Sequence, residues 1–233
     1  MFTEFVDGLV DLVLPATCAG CAEPAARALC ARCRAALASA RPQPTRPDPE
    51  PPGLPPTFAL AAYAGALRRA IVQYKEENRH ELTGALGGLL ARVVARSCSN
   101  RGPAGVVLVP IPGTAAAARR RHGDHMLRLA RSAARACPGA VVARPLRALP
   151  RPGDSAELTA VERAAAARHA FSVRRNRAAA LRSHLHRTGA TVVLVDDIVT
   201  TGVTLAAAAQ RLASAGIPVD RTAVLAATQR RRG

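Results

Sequence analysis

The stretch from Val192 to Thr204, Val-Val-Leu-Val-Asp-Asp-Ile-Val-Thr-Thr-Gly-Val-Thr, gathers residue types that suit a sugar phosphate. An apolar run ends in Asp196 and Asp197, a hydroxyl-rich turn follows, and Gly202 closes it before a helical pattern begins. The start of a helix offers unpaired N–H groups and a partial positive charge, which favour a phosphate. Thr200, Thr201 and Thr204 add hydroxyl donors, and Gly202 lets the backbone approach without a clashing Cβ. Asp196 and Asp197 would repel a phosphate. They suit the neighbouring part of the same ligand, either vicinal ribose hydroxyls or a bound Mg²⁺. The bland alternative is a plain turn and helix cap, but adjacent carboxylates at a strand end are costly unless something uses their charge. The chain has no G-x-x-x-x-G-K-[ST] and no G-x-G-x-x-G, which sets those nucleotide-binding modes aside.

Cys18-Ala-Gly-Cys21 and Cys30-Ala-Arg-Cys33 form a second chemical set. Each pair can make a tight knuckle, and four thiolates around one ion suit a structural Zn²⁺ with no open position for chemistry. The eight residues between the pairs are fewer than in the commonest spacing, and a redox pair or inert buried thiols is the competing reading. Gly20 is expected to let the backbone turn before the second ligand. Cys98 and Cys137 stand alone and read as small apolar residues.

Lys75 is a third marked position, because the other 32 basic residues among the 33 are Arg. Where Arg is the default cation, a lysine points to a need for its compact ammonium head. The net charge of +17 suits polyanions, although a chain this rich in Ala, Arg and Pro also fits a GC-rich coding sequence. Hydrophobic residues make up 49% and aromatics only 3%, so the core must be built from Ala, Val, Leu and Ile. No segment is long and apolar enough to span a bilayer, and the N-terminus has Glu4 and Asp7 in place of a leading basic cluster, so a cytoplasmic protein is expected.

These residues must be positioned by a body that the sequence sets apart. Residues 41–56 hold eight of the 18 prolines, which predicts an extended, non-helical linker between a cysteine head (1–40) and a larger domain (57–233). The first fourteen residues read as a short amphipathic helix. In the body, Phe58–Tyr63 is expected to be extended, 65–73 and the Leu82/Leu86/Leu89/Val93 pattern helical, and Val106–Val109 a buried strand leaving through Pro110-Ile111-Pro112. A basic helix is predicted over 117–136, a strand at 141–142 and a helix over 158–170 whose Thr159-x-x-Glu162 resembles a capping box. Thr191–Val195 is the strongest strand, then a helix over 203–215 and a last strand over 222–226. Apolar runs alternating with helices imply an α/β fold, a parallel sheet covered on both faces.

Residues 192–204 resemble the phosphoribosyl pyrophosphate signature of type I phosphoribosyltransferases, and the whole chain is similar to the ComF family, which joins a four-cysteine head to such a domain. The matching stretches run in order: the four cysteines, Tyr63-Ala-Gly-Ala-Leu-Arg with Ile71 and Lys75, Val109-Pro110-Ile111-Pro112, Arg163, Phe171 and the signature. The resemblance implies a parallel sheet with flanking helices and a smaller hood. It implies that Asp196 and Asp197 hold the ribose hydroxyls and that Val199, Thr200, Thr201, Gly202 and Thr204 hold the 5-phosphate. Mg²⁺ would accompany the pyrophosphate, and Arg119, Arg120 or Arg121, after the loop that follows Pro112, would neutralise it. As plain residues these arginines are a solvated helix face. Lys75 is placed near acceptor or pyrophosphate, with Asp196, Asp197 and Lys75 as the catalytic set. Arg121-His122-Gly123-Asp124-His125 departs from the family's Arg-Gly-Phe-Asn-Gln, and Ser155 and Ala166 replace its Gln and Asn. The family is linked to natural competence beside a DNA-translocating ATPase. A second class is therefore carried forward, a non-catalytic adaptor that senses ligand or handles single-stranded DNA.

Overall fold

A computed structural model describes residues 17–99, 105–150 and 170–228. The helices expected over the first fourteen residues and over 158–170, with Ser155, Arg163 and Ala166, lie outside the described residues, apart from Ala170. The elements run β1 (Gln43–Thr45), β2 (Thr57–Ala62), β3 (Val106–Pro110), β4 (Ala140–Val142), β5 (Leu146–Ala148), β6 (Phe171–Val173), β7 (Thr191–Val199) and β8 (Arg221–Ala227). Between them lie α1 (Ala31–Ser39), α2 (Gly65–Glu76), α3 (Thr83–Ser97), α4 (Ala115–Arg120), α5 (His125–Ala136), α6 (Arg175–Thr188) and α7 (Val203–Ala213).

Six strands form one sheet in the order β1-β2-β8-β7-β3-β4, parallel throughout except for the antiparallel edge strand β1, and β5 pairs with β6 in a separate antiparallel ribbon. β7 and β8 are buried along nearly their whole length, which is why they read as unbroken apolar runs. Strand alternation divides their side chains between two cores. Val193 and Val195 join α2, α3 and α5 through Ile71, Tyr74, Leu90 and Leu129. Val192 and Leu194 join α6 and α7 through Leu181, Leu205 and Leu212.

Three departures from the expected elements bear on the site. β7 runs to Val199, not Val195, so Asp196 and Asp197 are strand residues, with Asp196 opposite Val224 and Ile198 opposite Ala226 of β8. The basic helix expected over 117–136 is two helices. His122 (φ 48°) and Gly123 (φ 126°) leave the helical region, and Asp124 starts α5 afresh by accepting a hydrogen bond from the Leu127 N–H at 3.0 Å. The proline-rich segment contributes β1, whose Gln43 and Thr45 lie opposite Ala59 and Thr57 of β2. Among the described residues no helix is long and apolar enough to cross a membrane.

Candidate functional site

The carboxyl ends of β7, β8, β2 and β3 meet at one edge of the sheet. The Ile111 N–H donates to Val195 O (3.0 Å), Thr228 N–H to Val199 O (3.0 Å) and Tyr63 N–H to Ala227 O (2.8 Å). Ligands of open α/β folds bind at this edge. Because β7 is still a strand there, alternation sends Asp196 and Asp197 to opposite faces. Asp197 falls on the α2/α5 side. Its Oδ2 takes both the Lys75 ammonium (3.0 Å) and His125 Nε2 (3.0 Å), and the residue is only 5% exposed. Asp196 falls on the α7 side, is half-buried, and accepts from the Asp197 N–H at 2.9 Å through Oδ1.

The surroundings drive the two carboxyls apart. Burial and the Asp197 charge push Asp196 well above the usual carboxylate range. Burial also works against ionised Asp197, but the His125 hydrogen bond and the Lys75 charge outweigh it and hold this carboxyl below its ordinary value. The result is one anchored anion beside one carboxyl inclined to keep its proton. Of the two, only the more open Asp196 can donate to and accept from a diol.

Lys75 reaches Asp197 from the last turn of α2, and His125 from the first turn of α5. The Tyr74 hydroxyl donates to His125 O (3.1 Å), and the two rings meet edge-on with centroids 6.5 Å apart. His125 is a site residue that sequence reading noticed only as a departure in a motif. The signal that could have found it is Asp124, a cap that fixes where α5 begins and hence which way His125 faces.

After Val199 the backbone turns through exposed Thr200 and Thr201 to Gly202, a left-handed N-cap (φ 72°, ψ −5°) for α7, with Thr204 in the first turn. The first N–H groups of α7 have no partners within the helix. Arg119 and Arg120 are exposed on α4. Arg121 instead ties that helix end to α2, donating to Lys75 O (3.0 Å) and pairing with Glu76 Oε1 (2.9 Å). It thus holds the backbone that carries Lys75.

The four head cysteines form a second centre, their Sγ atoms all within 4.8 Å of one another. Tetrahedral Zn²⁺ with bonds of about 2.3 Å needs sulfurs roughly 3.8 Å apart, and Cys21 and Cys30 already stand at 3.8 Å. The Gly20 and Cys30 N–H groups donate to Cys18 Sγ (3.3 and 3.2 Å) and the Cys33 N–H to Cys30 Sγ (3.4 Å). Burial opposes ionisation of Cys18, but backbone N–H groups of Cys30, Gly20 and Cys21 prevail and bring its thiol to about 6. Burial and the neighbouring sulfurs push Cys33 up to about 12. The donor set fits zinc, with Cys18 inclined to the thiolate and Cys33 a thiol that a bound cation would ionise. Gly20 is needed for closeness, not for a left-handed turn, since a Cβ there would lie 2.8 Å from Cys33 Sγ and 3.3 Å from Ala66 Cβ. Head and body are fastened by Arg69, which donates to Gly20 O, and by Arg92, which donates to Leu37 O (3.3 Å) and Ala40 O (2.6 Å).

Residues 151–233 match the family model for the phosphoribosyl transferase domain. The match takes in β6, α6, β7, α7 and β8, and so includes both aspartates and the whole turn to α7. No curated protein matches the chain. Over residues 151–233 the chain is thus similar to a phosphoribosyl transferase domain, within a mostly parallel α/β sheet that carries a four-cysteine cluster suited to zinc at its N-terminal end.

Proposed function

We propose that the protein binds phosphoribosyl pyrophosphate at the carboxyl edge of its sheet and transfers the phosphoribosyl group to an acceptor. The observation that carries this reading is the sequence of chemistries along one chain segment: a carboxyl pair at the end of β7, a hydroxyl-rich turn, and the open N-terminus of α7. In this reading Val199, Thr200, Thr201, Gly202 and Thr204 surround the 5-phosphate. Asp196, the more open acid, meets the ribose diol. Asp197 holds Lys75 and His125 in place and supplies fixed negative charge near the ribose. Mg²⁺ bound to the pyrophosphate as part of the substrate would supply charge neutralisation to this leaving group. Arg119 and Arg120 are exposed cations free to meet that pyrophosphate from α4, while Arg121 positions Lys75.

Transfer breaks the bond from ribose C1 to the pyrophosphate oxygen, which leaves with the electron pair. The acceptor bonds to C1 and gives up its proton to the released pyrophosphate or to water. The protein's part is to orient the ribose and to place negative charge where C1 becomes cationic. A cytoplasmic setting, where thiols stay reduced, suits both the head and this metabolite. The DNA-handling adaptor of a competence machinery, beside a translocating ATPase, rests on the net charge of +17 and the family resemblance.

The test is calorimetric titration of phosphoribosyl pyrophosphate with Mg²⁺ into zinc-loaded wild type, Asp196→Asn and Asp197→Asn. Binding by the wild type that weakens in both variants is expected. A folded wild type that takes no heat of binding would overturn the reading and leave the adaptor.

A further inference from the structure

The proline-rich segment does more than connect head to body. After β1 it crosses the outer side of the turn that opens α7. A Cβ built on Gly202 would lie 2.9 Å from Pro47 Cγ, 3.0 Å from Leu54 Cδ2 and 3.3 Å from Pro51 Cγ, so three apolar side chains sit directly on this glycine. Pro47 is buried, and Leu54 packs against the same core as Val203 and Leu205. The segment is held at several points: β1 pairs with β2, Gln210 Nε2 of α7 donates to Pro52 O (3.0 Å), and the Thr222 N–H of β8 donates to Pro56 O (3.0 Å).

We infer that residues 47–54 are a positioning strap for the phosphate turn, and that they set affinity for the 5-phosphate half of the ligand. This deepens the function proposed above and rests on it. Three physical points carry it. Gly202 at φ 72° takes a left-handed conformation that glycine adopts freely, and the side of it that lacks a Cβ is filled by the three strap side chains, which fix where the turn sits. Proline rings have no N–H. They can seat against the turn without competing for a phosphate, so the amides at the start of α7 stay available. Finally, eight prolines in sixteen residues limit what the segment can do when free, so little entropy is lost in docking it. The strap touches the turn and α7, whereas Asp197, Lys75 and His125 lie on the other face of β7. Its effect is therefore confined to the phosphate end.

The experiment compares wild type with Pro51→Ala/Leu54→Ala and, separately, with Gln210→Ala, an exposed position whose loss frees the strap without opening the core. Two probes are titrated, ribose 5-phosphate and Mg²⁺-pyrophosphate, and backbone amide exchange is followed without either. The strap variants should bind ribose 5-phosphate about tenfold or more weakly, as misplaced binding groups do, with Mg²⁺-pyrophosphate affinity unchanged. Amides 200–206 should exchange faster while those of α3 do not. Unchanged exchange at 200–206, or equal losses for both probes, would overturn the strap. Failure of the wild type to bind either probe while the exchange difference persists would overturn the phosphate reading instead.

Discussion

Asp196 and Asp197 are neighbours in sequence with opposite electrostatic roles, and this gives a signed prediction. Asp197 is held below its ordinary value in the folded chain, so its contribution to stability is present at neutral pH and is lost as pH falls through that lowered value. Asp196 is held above its ordinary value. The fold keeps a proton that the unfolded chain gives up above about pH 4, so this residue costs stability as pH rises from there. Asp196→Asn, which keeps an oxygen for the Asp197 N–H, should therefore raise the melting temperature at pH 7. Asp197→Asn should lower it, with a loss of stability of about 3 kcal/mol, because Lys75 is left without its partner in a partly buried place. Thermal unfolding at pH 7 and near pH 4 checks both, and the gap between the variants should shrink at the lower pH. Two variants that melt alike would show that the carboxyls are not differentiated.

At the scale of elements, sequence periodicity found the strands and helices that have one clear apolar side. β2, α2, α3, β3, β7, α7 and β8 were all legible because their burial is continuous or strongly one-sided. α6 was not, since only Ala178 and Leu181 of its fourteen residues are buried and the rest reads as a solvated basic run. The break between α4 and α5 was written as His-Gly-Asp but hidden by helical composition on both sides. In the candidate site, the two aspartates, Lys75 and the turn to Gly202 were readable as residues. What could not be read was that β7 continues to Val199, because strand length is set by pairing with β8 and not by the acids themselves. The strand parity that separates Asp196 from Asp197, and the partnership with His125 from 72 residues away, follow only from that pairing. α1 offers an element-scale test. Its last carbonyls are met by the Arg92 fork, so Arg92→Ala should cost about 1–2 kcal/mol, and Arg92→Lys should recover only part of it because one ammonium does not span both carbonyls. Melting curves of the two variants with zinc bound read this directly, and equal stability of wild type and Arg92→Ala would refute it.

For the whole molecule, the decisive fact is that the cysteine head and the sheet share a core: Cys18, Leu29, Cys33 and Leu37 are buried in the same cluster as Leu67, Ile71 and Leu90. Metal binding to such a set is folding energy. Removing zinc with a strong chelator should therefore lower the melting temperature of the entire chain in one transition. A separate early transition, with the main one unmoved, would show two independent bodies. A different consequence follows from Lys75. It is the only lysine in 233 residues, and it stands in the last turn of α2 with its ammonium on Asp197. A protease that cuts only after lysine therefore has a single bond to cut, Lys75–Glu76. An amine-directed tag has one internal address. The rate of tagging is a clock for how often the Lys75–Asp197 pair comes apart, and the rate of cleavage for how often the end of α2 unwinds, with no engineered probe in the chain.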